Sequence, residues 1–126
     1  MDNKNILIVG GAGYIGGYMT DYFIDNNYNV TVYDNLLYET RFLKDVPFIN
    51  GDIRDKERLL SIAQGYDVVV WLAALVGDGA CAINPKLTNE LNYECFKWFV
   101  DRYKKKIVFT STCSVYGLNN DLIDED

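Results

Sequence analysis

The sequence contains no histidine. That removes the commonest general base at neutral pH and the commonest metal ligand, so no metal site is assigned. Cysteine is scarce: three residues, an odd number without repeated spacing, fit a reducing cytoplasm better than a disulfide framework. Positive charge is in the minority. Lys and Arg number 12 against 18 Asp and Glu, a net charge of −6, whereas nucleic-acid binding wants a basic face. The one basic run, Lys104-Lys105-Lys106, falls where a helix should be ending and reads as a solvated terminus that complements the helix dipole. No apolar stretch approaches the ~20 residues of a membrane span, and no targeting pattern precedes the first strand. No internal repeat or low-complexity segment appears. These absences point to one cytoplasmic domain without a nucleic-acid or membrane partner. With 126 residues, 49% of them apolar and 24% charged, the chain is of ordinary composition and long enough to bury a real core.

What the sequence has is glycine in one place. Ile6-Leu7-Ile8-Val9 is a short, β-branched apolar run of the kind expected in a buried parallel strand. Gly10, Gly11, Gly13 and Gly16 follow within seven residues, and then Ile15, Met19, Tyr22, Phe23 and Asn26 recur at helical spacing. Strand, glycine turn and helix form the context in which such a motif binds a dinucleotide. The turn needs a residue without Cβ, the pyrophosphate needs bare backbone, and the helix N-terminus offers free N–H groups to the phosphates. A glycine cluster alone also suits a ligand-free turn, so the next strand is the second check. Asn29 to Tyr33 reads as a strand and ends at Asp34, eighteen positions after Gly16. A carboxylate there accepts the ribose hydroxyls of adenosine. It repels a 2′-phosphate, and no Arg follows in Asn35-Leu36-Leu37, so NAD is favoured over NADP.

The remaining chain alternates strand and helix. A third strand, Val46 to Asn50, carries Pro47 near its start, so it should be an edge strand or begin late. Gly51 to Asp55 is a turn into a helix with Asp55 as N-cap, Leu59, Leu60, Ile62 and Ala63 on its inner face, and Gly65 at its end. Asp67 to Leu72 is continuously apolar, a strand buried on both faces, and runs into the small residues Ala73-Ala74. Asn84-Pro85 opens the longest helix, to about Lys105, and Ile107 to Ser111 is the fifth strand. The expected fold is α/β, a Rossmann-type doubly wound parallel sheet in the order 3-2-1-4-5, incomplete at its carboxyl-terminal side.

These segments together resemble the extended short-chain dehydrogenase/reductases, specifically the NAD-dependent sugar-nucleotide epimerases and dehydratases. Gly10-Gly11-Ala12-Gly13-Tyr14-Ile15-Gly16 resembles their cofactor loop and Asp34-Asn35-Leu36 their ribose-binding turn. Gly51-Asp52-Ile53-Arg54-Asp55 resembles the segment that brackets the adenine. Leu72-Ala73-Ala74 resembles the strand end beneath the pyrophosphate and nicotinamide ribose, and Asn92 matches the family's helix asparagine. Phe109 to Gly117 resembles the strand and loop bearing the active-site Ser or Thr. The resemblance therefore implies cofactor contacts from Gly10, Gly13, Tyr14, Ile15, Gly16, Asp34, Asn35, Leu36, Asp52, Ile53, Leu72, Ala73, Ala74, Asn92 and Thr110, and a catalytic Thr112. The implied chemistry is hydride transfer at a sugar hydroxyl, with NAD as cofactor and a sugar nucleotide as substrate. The loop Leu75 to Asn84 resembles enzymes serving surface-polysaccharide pathways.

Departures from the pattern carry weight of their own. Val9 stands where Thr is usual, and Trp71 where His is common. The family's catalytic Tyr-x-x-x-Lys pair should lie beyond Tyr116-Gly117, so residues 1–126 are expected to be the amino-terminal, NAD-binding part of a longer enzyme and inactive alone. Tyr93-Glu94-Cys95-Phe96-Lys97 spells the same motif but precedes the Thr112 strand, so Tyr93 and Lys97 are expected on a helix surface. Cys81 and Cys113 read as small apolar fillers. A non-catalytic dinucleotide-binding or redox-sensing module, or a reductase of another carbonyl substrate, remains the alternative. Two apolar stripes on the long helix, one through Leu87, Leu91, Cys95, Trp98 and Phe99 and one through Phe96, Val100 and Tyr103, together with an unpaired fifth-strand edge, point to a homodimer or larger species.

Overall fold

A computed structural model describes residues 3–36, 42, 44–74 and 83–111. Five parallel strands form one sheet in the order β3-β2-β1-β4-β5, as the alternation of the sequence required. In the centre lies β1 (Asn5–Val9), hydrogen-bonded to β2 (Asn29–Asp34) on one side and β4 (Val68–Trp71) on the other, so that Ile8 faces both Val32 and Val70. β3 (Phe48–Asn50) is the edge beyond β2. It begins just after Pro47, whose carbonyl accepts from the Val32 N–H while its own nitrogen has nothing to donate. β5 (Lys106–Phe109) is the edge beyond β4.

Alternate side chains of the central strands feed two cores. Leu7, Val9, Tyr33, Val69 and Trp71 point to the face covered by α2 (Lys56–Ala63) and the helix before β5. Ile6, Ile8, Val30, Val32, Val68 and Val70 point to the other face, where Met19 and Phe23 of α1 (Tyr14–Asp25) pack. The contact face of α1 differs from the expected one. Gly16 and Thr20 are its buried residues, whereas Ile15 and Tyr22 are more than half exposed. The cause is the tight approach at the turn: a Cβ on Gly16 would strike the Gly11 backbone, so the small residues must face inward. Thr20 satisfies its buried hydroxyl by donating to the Gly16 carbonyl at 2.7 Å.

The helix expected from Pro85 to Lys105 is broken into α3 (Pro85–Asn89), a π-helical turn (Glu90–Glu94) and α4 (Cys95–Arg102). Its core residues explain why. Leu91, Cys95, Phe99 and Tyr103 are buried and Leu87 half-buried, a strict four-residue spacing. In an α-helix each such step overshoots a turn by about 40°. One wider turn absorbs the drift and keeps the stripe on the sheet. Tyr103 also departs from its expected place on a second, outer stripe. The helix ends at Arg102, Tyr103 turns extended (φ −84°, ψ 121°), and its ring stacks on Phe99 while its hydroxyl donates to the Tyr66 carbonyl at 3.0 Å. Burial pushes its phenol and the Cys95 thiol up from their ordinary values, which keeps both neutral in the core.

Candidate cofactor site

Three strand ends are knitted together where β1 stops. The Gly10 N–H donates to the Tyr33 carbonyl at 2.8 Å, and the Val9 carbonyl accepts from both Leu72 (2.8 Å) and Ala73 (3.1 Å). Gly10 sits at φ +83°, and a Cβ there would lie 2.5 Å from the Ala73 nitrogen. Left-handed backbone and a wall of main chain together leave room only for glycine. Gly13 is different. A Cβ on it would meet nothing within 4 Å, so its bareness opens space rather than closing it. Gly13 is the N-cap of α1, no side chain caps it, and the first turn carries no acid. The first-turn amides and the positive end of a 12-residue helix are thereby free for an anion from outside. Tyr14 and Ile15 flank this opening with exposures of 90% and 59%.

Asp34 closes the turn from the β2 side. One carboxylate oxygen accepts from the Ala12 N–H at 3.0 Å and the other from the Leu36 N–H at 2.7 Å. Each oxygen keeps lone-pair capacity for a further donor. Leu36 takes a left-handed conformation (φ 58°), which costs a β-carbon-bearing residue about 1–2 kcal/mol. The Asp34–Leu36 hydrogen bond offsets part of that and fixes the turn.

The next segment is attached to the same place. Gly51 N–H donates to the Asp34 carbonyl at 3.0 Å, and a Cβ on Gly51 would strike the Tyr33 ring. Tyr33, fully buried, donates its hydroxyl to the Asp52 carbonyl at 2.9 Å. The Asp52 carboxylate is gripped by Arg54 through Nε and Nη2, at 3.0 and 2.6 Å, and by the Arg54 N–H at 2.8 Å. Asn35 also donates to it, so the Asp34 and Asp52 segments meet side chain to side chain. The Arg54 hydrogen bonds hold the Asp52 carboxyl below the usual carboxylate range, against opposition from partial burial. Ile53 is buried beneath them. Arg54 in turn lies 4.0 Å from Glu90 in the π-helical turn. Sequence reading passed over this role of Arg54; the opposite charges two positions apart in Asp52-Ile53-Arg54 were the available signal.

On the β4 side, Leu72 and Ala73 are anchored on Val9 and half-buried, with Ala74 exposed beside them. Asn92 lies half-buried in the π-helical turn, on the helix that covers this end of the sheet. Thr110 directly follows β5, its hydroxyl 3.5 Å from the Trp71 carbonyl. Tyr93 is 57% exposed and Lys97 forms an ion pair with Asp101 at 2.9 Å, so both are the surface residues expected. Thr112, the Leu75 to Ile83 loop up to its last residue, Cys81 and Cys113 lie outside the described residues. The carboxyl ends of parallel strands at the point where the strand order reverses are the usual ligand crevice of an open α/β sheet. The residues assigned from sequence at the end of β2 and just after β1, β3 and β4 lie at these carboxyl ends.

The sequence profile of the NAD-dependent epimerase/dehydratase family matches residues 6–126. A UDP-N-acetyl-alpha-D-glucosaminuronate decarboxylase from Bacillus cytotoxicus is 30% identical over 98% of this chain and 41% of its own length. A UDP-glucose 4-epimerase from Halalkalibacterium halodurans is 36% identical over 89% of this chain and 36% of its own. Among solved structures, the Brucella ovis UDP-glucose 4-epimerase in complex with NAD superposes with a TM-score of 0.85 at 28% identity, covering 94% of this chain and 39% of the epimerase. The chain thus spans about two-fifths of the length of these relatives.

Proposed function

The chain belongs to the NAD-dependent epimerase/dehydratase family, and from that premise we propose that it is the NAD-binding portion of a sugar-nucleotide 4-epimerase, dehydratase or dehydrogenase. The observation that carries this reading is the pairing of an open Gly13 amide cradle with the Asp34 carboxylate, which the Ala12 N–H holds 3.0 Å away across the same turn. The cofactor's pyrophosphate would sit on the first-turn amides of α1, and its adenosine ribose on the free lone pairs of Asp34. Asp52 and Ile53 would bracket the adenine, with Asp52 kept anionic by Arg54. Leu72, Ala73 and Ala74 would lie beneath the nicotinamide ribose, with Asn92 and Thr110 nearby.

Bound NAD would supply a reversible hydride acceptor for a carbon of the sugar. The part of this chain in that chemistry is to orient the cofactor and, through Thr112, to hydrogen-bond the reacting oxygen. The tyrosine base and its lysine would come from beyond residue 126, as would most contacts to the sugar nucleotide. We place the reaction in surface-polysaccharide synthesis on the resemblance of the Leu75 to Asn84 loop. Self-association as a dimer or larger species belongs to the same proposal, supported by the exposed Val100, Val108 and Phe109 beside the helix that ends in α4.

Titration calorimetry with NAD and NADP tests the reading. A charged hydrogen-bond acceptor is worth about 1.5–3 kcal/mol, so NAD should bind at least about tenfold more tightly than NADP, and Asp34→Ala should erase the preference. Equal affinities in the unmutated chain would remove Asp34 from the ribose site. Turnover assays with UDP-sugars should show no epimerisation by the 126 residues alone; activity abolished by Tyr93→Phe would instead make the Tyr93/Lys97 pair the catalytic one.

A further inference from the structure

We propose that Trp71 is a positioning residue for the nicotinamide half of the cofactor, acting through its indole N–H; this rests on the NAD reading above. Trp71 ends β4 and is 1% exposed. Its Nε1–H does not bond within the core. It donates to the carbonyl of Ala73, two residues on, at 3.1 Å. The Ala73 N–H is already held by the Val9 carbonyl at 3.1 Å, so the residue is pinned from both sides. It is pinned against Gly10, the glycine whose missing side chain makes room for the Ala73 backbone. The Trp71 carbonyl also accepts from Thr110 at 3.5 Å. One buried side chain and its carbonyl therefore touch two assigned cofactor positions, Ala73 and Thr110, and reach a third, Gly10, through Ala73.

The ring cannot turn away from this task. Phe96 and Phe99 each hold it at a centroid distance of 5.2 Å, and Phe96 is itself stacked on Phe109 at 4.3 Å. Packing alone would be served by phenylalanine, whose ring brings no donor to be satisfied. A buried N–H is costly unless paired, and this one is paired with the strand end that would carry the nicotinamide ribose. Histidine is another ring that can donate from nitrogen, so it can test the bond apart from the indole.

Three substitutions at Trp71 separate the N–H from the bulk of the ring: 3-benzothienylalanine, the same shape with sulfur replacing N–H; Trp71→Phe; and Trp71→His. A fourth, Phe99→Leu, loosens the packing and leaves the bond. Affinities for NAD and for ADP are measured by calorimetry on each full chain, ADP reporting the half held by the glycine loop, Asp34 and Asp52. Loss of one neutral hydrogen bond predicts an NAD dissociation constant raised about fivefold in the benzothienyl and Phe proteins, with the ADP constant unchanged within about twofold. Trp71→His should recover part of the loss, and Phe99→Leu should lower the melting temperature without changing the NAD-to-ADP ratio. The benzothienyl protein keeps the shape of the core, so it decides the matter even where Trp71→Phe fails to fold. If NAD and ADP shift by one common factor in it, if neither shifts, or if Phe99→Leu changes the ratio, Trp71 is a packing residue only. If the unmutated chain binds neither ligand, the NAD reading itself falls and takes this inference with it.

Discussion

The two sides of the β1 axis are built from the same material and finished to different degrees. On the β1–β2 side every strand residue from Ile6 to Val9 is at most 3% exposed, and the Val9, Tyr33 and Asp34 carbonyls at the crevice each accept a main-chain N–H. On the β5 side Val108 is 40% and Phe109 47% exposed, and among the described residues no strand pairs with the outer edge of β5. Both strands are apolar and parallel. Composition therefore does not distinguish them; neighbours do. The strand ends assigned to the cofactor are held by residues of this chain, whereas β5, which precedes Thr110, leaves apolar side chains exposed. On the function proposed above, cofactor binding would be self-contained here and chemistry on the sugar would not.

Gly10 and Gly13 give the largest expected contrast. Gly10→Ala must place a Cβ 2.5 Å from main chain at a left-handed φ, strain and overpacking that together cost about 2–5 kcal/mol. Urea unfolding should show that loss. Gly13→Ala enters open space, so its stability should change by less than about 1 kcal/mol, as for exchanges at an N-cap without a bonded side chain. Its NAD affinity should nonetheless fall at least tenfold, because the methyl fills the phosphate cradle. Equal unfolding losses in the two variants would mean that both glycines are structural.

The exposed side predicts the opposite signature. Val108→Lys lies on an open edge and should alter monomer stability by no more than about 0.5 kcal/mol. A charge on an edge strand opposes pairing with another edge, so light scattering at micromolar concentration should show a smaller species than the unmutated chain. A monomer in both would leave the β5 edge without a partner of its own kind.

How much of this could be read in advance depended on whether a signal was local. The glycine turn and Asp34 were legible because each is one residue type at one spacing. The strand order followed from alternation, and the late start of β3 from Pro47. The face of α1 was misjudged because apolar periodicity pointed to Ile15 and Tyr22, while steric need at Gly11 selected Gly16 and Thr20. The break at Glu90–Glu94 was visible as a strict four-residue spacing, yet an uninterrupted helix was expected because that drift matters only against a flat sheet. The inward turn of Tyr103 needs the helix end and the Tyr66 carbonyl, which are brought together only by the fold. Likewise no pattern announces that the Trp71 N–H bonds two residues on.

A pH-dependent effect joins the two sides, at Arg54. Its guanidinium holds Asp52 on the cofactor side and lies 4.0 Å from Glu90 on the helix of the other. Because the Asp52 carboxyl is lowered in the folded chain, chiefly by those Arg54 hydrogen bonds, its contribution is fully present above the unfolded value of about 3.9 and is lost as pH falls below it. Arg54→Ala should therefore cost no more than about 1 kcal/mol at pH 7, since the guanidinium is half exposed and screened. The unmutated chain should lose that advantage as pH falls below about 3.9, so the two stability curves converge on the acid side. Added salt should narrow the gap at pH 7 for the same reason. Curves that stay parallel from pH 7 to pH 2 would show that Arg54 supports the fold by packing its stem, and that the link between the two sides carries no charge-dependent energy.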